Sequence, residues 1–298
     1  MNQEELVFVV GLTAVGKTQY ALEWAERRGG VILSCDSLCV YRGMDIGTAK
    51  PTLEERRRVP HYGLDVAQAA EGYSVAEYIR YRDSVLDRMR SEGRPVVVCG
   101  GSGFYLKSFF ANVVDTVQIP DEIEAQVCGL LQGENGLARA TEALKRCHSA
   151  SERFPGLDWN NPRRVGRALV RCLASGKPYS ALKEAFEQLP EPLQDWRKTV
   201  RVITRPEASM EARNRERVGQ MLVDGLVEEV KRLREEGFEA NPMASGSVGY
   251  AETLQYLDGH LTREEMEARI VVRTRQLMRK QRNWFRHHLP SGEAVEMP

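Results

Sequence analysis

The run Gly11-Leu12-Thr13-Ala14-Val15-Gly16-Lys17-Thr18 matches G-x-x-x-x-G-K-[ST] in full, and it restricts the fold more than any other segment. Such a loop cradles phosphate when an apolar strand runs into it and a helix leaves it. Both neighbours are present. Leu6-Val7-Phe8-Val9-Val10 is apolar on both faces, as a buried parallel strand is, and Lys17 to Arg28 reads as a helix. Gly11 and Gly16 permit the tight turn that aims backbone N–H groups inward, and the helix N-terminus adds its partial positive charge. Lys17 supplies a cation to phosphate oxygens, and the Thr18 hydroxyl is placed to ligate Mg²⁺. The chemistry therefore concerns a di- or triphosphate group.

The same alternation continues downstream. Val31-Ile32-Leu33-Ser34 reads as a second strand ending at Asp36, a helix covers Val75 to Ser91, and Pro95-Val96-Val97-Val98-Cys99 is a third strand. It ends in a second glycine turn, Gly100-Gly101-Ser102-Gly103, with a helix from Phe104. Strands alternating with helices make a parallel sheet with crossover connections. From Pro120 to Trp196 helical patterns take over, and Thr199 to Thr204 returns as a strand. The expected architecture is α/β: a P-loop NTPase-like parallel sheet core, residues 1–119 and 197–298, with an inserted helical domain at 120–196. Met210 to Glu236 and Arg263 to His288 read as long helices, and there is no internal repeat or low-complexity linker.

Composition narrows the setting. No apolar run among the 298 residues approaches a membrane span, and the polar start Met1 to Glu5 lacks the basic and apolar parts of a secretory signal. A cytoplasmic protein that avoids membranes is expected, and nothing points to an obligate oligomer, so a monomer is the expected state. None of the six cysteines forms a Cys-x-x-Cys pair, which argues against a zinc ribbon, and Cys99 reads as a small core residue rather than a thiol catalyst. The 42 basic and 42 acidic residues cancel, so only their distribution carries information.

A phosphate loop leaves the fate of the phosphate open, because switches, motors, kinases and some transferases share it. The third strand ends in glycines where a hydrolase usually places a second acid for Mg²⁺, which weakens the motor and switch readings. Asp36 lies at the C-terminal end of the second strand, the edge where ligands bind in open α/β sheets. Base, metal partner and helix cap are all open to it. The glycine-rich stretch from Tyr41 to Pro51 is dense in groups that bind anions and polar ligands. The second glycine turn either aims a helix N-terminus at the same cleft or needs glycine for geometry alone.

These residues carry a specific resemblance. GLTAVGKT (11–18), DSLCVYRGMDIGTAKP (36–51), PHYGLD (60–65), GGSGFYLKSFF (100–110), NNPRRVGRALV (160–170), MLVDGLVEEV (221–230), SVGYAE (247–252) and RKQRNWFR (279–286) occur in the order found in the tRNA dimethylallyltransferase family, the bacterial tRNA isopentenyltransferases, which the chain resembles over most of its length. Departures from the family pattern are Leu12 for a proline, Leu38-Cys39 for a more polar pair, Tyr62 for the second of two histidines, and Ser102 for a threonine.

The resemblance implies transfer of a dimethylallyl group from dimethylallyl diphosphate to the exocyclic amine of the adenosine 3′ to the tRNA anticodon, with Mg²⁺ and no nucleotide hydrolysis. Residues 11–18 then bind the donor diphosphate. Asp36 would be the base for the amine, and Thr13 would hydrogen-bond the bridging oxygen. Lys17 and an arginine, Arg213 ahead of Arg217, would stabilise the leaving charge, and Thr18 would hold the metal. The tRNA contacts implied are Asp36, Ser37, Leu38, Cys39, Ser102 and the helical stretch Arg163, Arg164, Val165, Gly166, Arg167. The adenosine must leave its stack to react, and Tyr41 and Phe104 are available either to stack on it or to pack.

Charge distribution fits an RNA partner. Between Lys145 and Lys177 eight Lys or Arg face only Glu152 and Asp158, and Arg163, Arg164, Arg167 and Arg171 share a helical stripe. Arg269, Arg273, Arg275, Arg279, Lys280, Arg282 and Arg286 interleave with Trp284 and Phe285 near the C-terminus. Such surfaces track phosphates and stack on unpaired bases, although Glu264, Glu265 and Glu267 show that some of these arginines pair within the protein. Two enzyme alternatives share the core: a small-metabolite kinase, which ATP turnover would reveal, and a prenyltransferase for free adenine nucleotides, an adenylate isopentenyltransferase, which would not need the basic surface. An RNA-binding module with a nucleotide-sensing loop would not need Thr13, Lys17, Thr18 and Asp36 together.

Overall fold

The computed structural model describes residues 4–147 and 153–297, so Glu152 lies outside the described residues. Six strands among them form one parallel sheet: β1 (Glu5–Gly11), β2 (Val31–Cys35), β3 (His61–Tyr62), β4 (Val96–Gly100), β5 (Arg197–Thr204) and β6 (Glu293–Glu296), in spatial order β3-β2-β4-β1-β5-β6. The central strands are apolar throughout because both faces are covered. Leu6, Phe8 and Val10 of β1 join one core with Val96 and Val98 of β4, while Val7 and Val9 join the opposite core with Val97. That is the two-residue side-chain period of a strand buried on both sides.

Two strands escape sequence reading. β3 is two residues long, and β6 is the mostly exposed Glu-Ala-Val-Glu, held by backbone pairing to β5 at the sheet edge. Neither has the apolar run that marks an interior strand. The expected long helix over 210–236 is two helices, Glu207–Val223 and Leu226–Glu235. Gly225 separates them at φ 100°, a conformation that glycine adopts without a Cβ clash.

The chain divides into two compact units. One holds the described residues up to Val113 and from Pro192 onward, with the sheet; the other is Val114–Glu191. The change falls earlier than residues 120 and 196 at both ends, because Val117 and Ile119 pack into the helical unit's core and Leu193 and Trp196 into that of the sheet. Among its described residues the helical unit has four helices, Asp121–Leu131, Gly136–Arg146, Pro162–Ser175 and Tyr179–Glu187, around Val127, Leu144, Val165 and Leu169. No helix among the described residues is long and apolar enough to cross a membrane.

Candidate active site

The phosphate loop follows from what holds its two ends. β1 stops at Gly11, and the first helix, Lys17–Arg28, starts after Gly16 at φ 106°, where any side chain would be strained. Val15 anchors the loop from below, buried in the core. At its crest Ala14 takes φ 65°, a left-handed conformation that costs a non-glycine residue about 1–2 kcal/mol. Arg213 Nε donates to the Ala14 carbonyl at 3.3 Å, bracing that crest from the exposed side.

Lys17 turns back along the loop and donates from Nζ to the Leu12 carbonyl at 2.8 Å. The residue is only partly covered, but its charged end lies deep enough that burial lowers the ammonium pKa, against the opposing pull of Cys99 and Asp36; the Arg217 guanidinium lowers it further. A cleft of about 100 Å³ opens beside this lysine, lined by Thr13, Ala14, Lys17 and Thr18 of the loop and by Asp36 and Arg217 from elsewhere in the same unit. Burial also pushes the Cys99 thiol on the cleft wall up to about 11, and the Cys35 and Cys39 thiols well above their ordinary value, so none is a poised thiolate.

Asp36 follows β2 at the C-terminal edge of the sheet. Its Oδ1 accepts from the Leu38 N–H at 2.9 Å, closing a turn rather than capping a helix, and the residue remains half-exposed at the cleft. Ser37 and Ser102 lock this edge to the second glycine turn. The Ser37 N–H donates to Ser102 Oγ at 2.8 Å, and Ser102 Oγ donates to Ser37 Oγ at 3.1 Å. Leu38 packs half-buried against the core, and Cys39 is buried on the cleft wall. Of the two aromatics, Tyr41 is fully buried, whereas Phe104 is 65% exposed. Phe104 is thus the one of the pair that is open to solvent.

The glycine-rich loop is fastened by a buried carboxylate. Glu229 Oε2 accepts from the N–H groups of Asp45 at 3.0 Å and Ile46 at 2.8 Å, and its Oε1 accepts from the Gly47 N–H at 3.1 Å and the Tyr250 hydroxyl at 2.7 Å. Buried Lys50 ties the same loop down through the Tyr41 carbonyl, Asp45 and Asp65, each at 2.7 Å. This places Thr48, Ala49 and Pro51 on the cleft wall. The Thr48 carbonyl accepts from Arg217 at 3.4 Å. Burial lowers the Arg217 pKa while Asp36 and Cys39 act to raise it. Of the two candidate arginines, Arg217 lines the cleft, and Arg213 braces the loop from outside.

His61 closes the same cleft. Its Nδ1 lies 2.8 Å from the Val59 carbonyl, which makes Nδ1 the protonated nitrogen, and buried Nε2 has no hydrogen-bond partner among the described residues. Burial lowers its pKa, so the ring is neutral near neutral pH. Among the described residues no group of three His, Cys, Asp or Glu is gathered to hold a metal ion. The oxygen donors Thr18 and Asp36 beside Lys17 suit a hard cation that takes its other ligands from phosphate and water.

In the helical unit Asn161 caps the helix Pro162–Ser175 by accepting from the N–H groups of Arg163 and Arg164. Arg163, Arg164 and Arg167 are exposed, whereas Val165 and Gly166 are buried, Gly166 against Leu131, and so set the helix in place. Arg171 belongs to the same stripe but is largely covered and paired with Asp115. On the C-terminal helix Arg273, Arg275 and Arg282 pair with Glu252, Glu211 and Glu207, while Arg279, Lys280 and Arg286 remain exposed.

Comparison with known proteins gives the family. A tRNA dimethylallyltransferase of Opitutus terrae is 43% identical over 295 residues, covering 99% of this chain and 94% of the relative. The family model described as IPP transferase matches residues 39–288. The chain belongs to the tRNA dimethylallyltransferase family. The family model takes up after the phosphate loop, but the pairwise match extends across it. A solved tRNA delta(2)-isopentenylpyrophosphate transferase from Staphylococcus epidermidis superposes with TM-score 0.67 and 28% identity, over 98% of this chain and 93% of the other. A eukaryotic dimethylallyltransferase shares the fold, with TM-score 0.78 at 23% identity over 99% of this chain and 74% of that one.

Local pattern does not single out Glu229, Tyr250, His61 or Gln281, whose Oε1 accepts from the Thr13 N–H at 3.1 Å, as site residues. Each lies inside a stretch that carries the family resemblance, which marks it without giving its role.

Proposed function

We propose that this chain transfers a dimethylallyl group from dimethylallyl diphosphate to the exocyclic N6 amine of the adenosine 3′ to the anticodon of tRNA. The observation that carries this reading is the convergence of Lys17, Thr18, Asp36 and Arg217 on one cleft at the C-terminal edge of a parallel sheet. The loop Gly11–Thr18 reads phosphate oxygens and not the group attached to them, so it serves a prenyl diphosphate as well as a nucleotide.

The N6 lone pair attacks C1 of the dimethylallyl group. The C1–O bond breaks, and its electron pair leaves on the diphosphate. Asp36 accepts the proton that N6 sheds, a sensible base for a weak amine nucleophile. Lys17 and Arg217 face the departing charge, where fixed cations in a partly dry cleft act most strongly. Arg213 supports them indirectly by holding Ala14. Thr13 supplies the hydrogen bond to the bridging oxygen. Thr18, with Asp36 near it, would hold Mg²⁺, which neutralises part of the diphosphate charge when bound.

The tRNA is read by Asp36, Ser37 and the Leu38-Cys39 segment, by Ser102, and by the helix bearing Arg163, Arg164 and Arg167, with Val165 and Gly166 supplying backbone and packing. A tRNA substrate places the reaction in the cytoplasm. One copy of the chain carries every residue named, so a monomer suffices. The deciding assay incubates the protein with labelled dimethylallyl diphosphate, Mg²⁺ and unmodified tRNA. Label should enter the RNA at one adenosine without ATP; a folded protein that transfers none sinks the reading.

A further inference from the structure

The C-terminal helix, Arg263–His288, hydrogen-bonds to the phosphate loop through Gln281. Gln281 Oε1 accepts from the Thr13 backbone N–H at 3.1 Å and from the Thr13 hydroxyl at 3.2 Å. The backbone donor fixes which end of the amide faces Thr13, because an N–H can only be met by oxygen. The second glycine turn makes room for this approach. A Cβ on Gly101 would lie 2.9 Å from Gln281 Nε2, and one on Gly103 would lie 2.7 Å from the Trp284 ring. Gly101 and Gly103 therefore admit the C-terminal helix, whereas Gly100 lies against the Cys35 backbone at the cleft.

We propose that Gln281 is a positioning residue for Thr13: it holds the Thr13 backbone and keeps its hydroxyl at the cleft until the leaving oxygen takes over the hydrogen bond. The inference rests on the prenyl-transfer reading above. A hydroxyl has one proton to donate. While that proton lies on Gln281, it is not on the diphosphate. As charge grows on the bridging oxygen, the hydroxyl exchanges a neutral amide acceptor for an anionic one, a stronger bond. The N–H bond to Gln281 is unaffected by this exchange and keeps the residue in place. The same helix carries exposed Arg279, Lys280 and Arg286, so the partner of Thr13 is built on the element with basic groups for RNA.

The test is Gln281→Met, which keeps length and loses the acceptor. In ligand-free protein, hydrogen exchange at the Thr13 amide should accelerate while the first helix stays protected. In the full reaction kcat should fall roughly 10- to 100-fold, with KM for dimethylallyl diphosphate changing less than about threefold, since Lys17 and the loop N–H groups dominate ground-state binding. In a Thr13→Val background the same change should cost nothing further, because a positioning residue acts through its partner. Unchanged Thr13 exchange, or losses that add in the double variant, would overturn the proposal. A wild-type chain that transfers no prenyl group fails the preceding reading instead, and the exchange experiment, which needs no reaction, still decides the Gln281 contact.

Discussion

Tyr250 packs against Gly47 and donates its phenol proton to Glu229 at 2.7 Å. This pairing joins the loop at 45–47 to two helices far along the chain. A Cβ at Gly47 would stand 2.5 Å from the Tyr250 ring, so only glycine lets the loop lie this close. Thr48 follows at once, and its carbonyl receives Arg217. The position of a cleft cation therefore depends on a buried carboxylate that does not itself line the cleft.

Tyr250→Phe removes one of four donors from the Glu229 carboxylate while keeping the ring. Chemical denaturation should show a loss of about 1.5–3 kcal/mol, the range for a hydrogen bond to a charged group. Gly47→Ala should act more strongly on turnover than on donor binding, because the loop must retreat from Tyr250 and carry the Thr48 carbonyl away from Arg217. Steady-state kinetics with normal tRNA affinity would check it.

Lys17 has its pKa lowered chiefly by burial, so diphosphate affinity should depend on pH. Bound diphosphate favours the ammonium. Below the lowered pKa the free enzyme already carries it. As pH rises through that value the proton must be taken up on binding, and affinity should fall. Calorimetry in buffers of different ionisation heat should show net proton uptake in this range. The stability sign is the opposite: the unfolded chain holds this proton more tightly, so the contribution of Lys17 to folding stability rises with pH from the lowered value up to the ordinary lysine pKa.

Asp36→Asn keeps the size and the acceptor for Leu38 but removes the base. Turnover should fall by roughly 10²- to 10⁴-fold, the usual range for a general base, with tRNA and diphosphate binding retained. Rapid-quench transfer on preloaded enzyme would separate this from a binding defect, and intact turnover would exclude Asp36 as the base.

Arg163, Arg164 and Arg171 fall on one stripe in the sequence, but the structure separates their roles. Arg163→Ala and Arg164→Ala should each weaken tRNA binding and lower the slope of log affinity against log salt by about 1. Arg171→Ala should instead destabilise the helical unit, by about 1.5–3 kcal/mol for a charge-assisted bond, since Arg171 is tied to Asp115. Filter binding across a salt series and thermal unfolding together read both effects.

Some of this was open to inspection of the chain alone. Leu6 to Val10, Val31 to Ser34 and Val96 to Cys99 announce buried strands because both faces are covered, and Gly11 to Thr18 announces its turn because few sequences put two glycines, a lysine and a hydroxyl at that spacing. β3 and β6 were hidden because a two-residue strand and an exposed edge strand leave no hydrophobic signature. The break at Gly225 leaves no mark in the pattern because the periodicity on either side is helical.

The sequence by itself determined the phosphate loop, the parallel sheet and the identity of Lys17, Thr18 and Asp36 as chemical groups, since these depend on local pattern and residue type. The rest was decided only in the folded chain. Arg217 rather than Arg213 lines the cleft, Glu229 and Tyr250 hold the loop beneath it, Arg171 is spent on Asp115, and Gln281 meets Thr13 from 268 residues away. Each is a contact between distant segments, and such contacts follow from the packing of whole helices and the sheet, which no local spacing encodes.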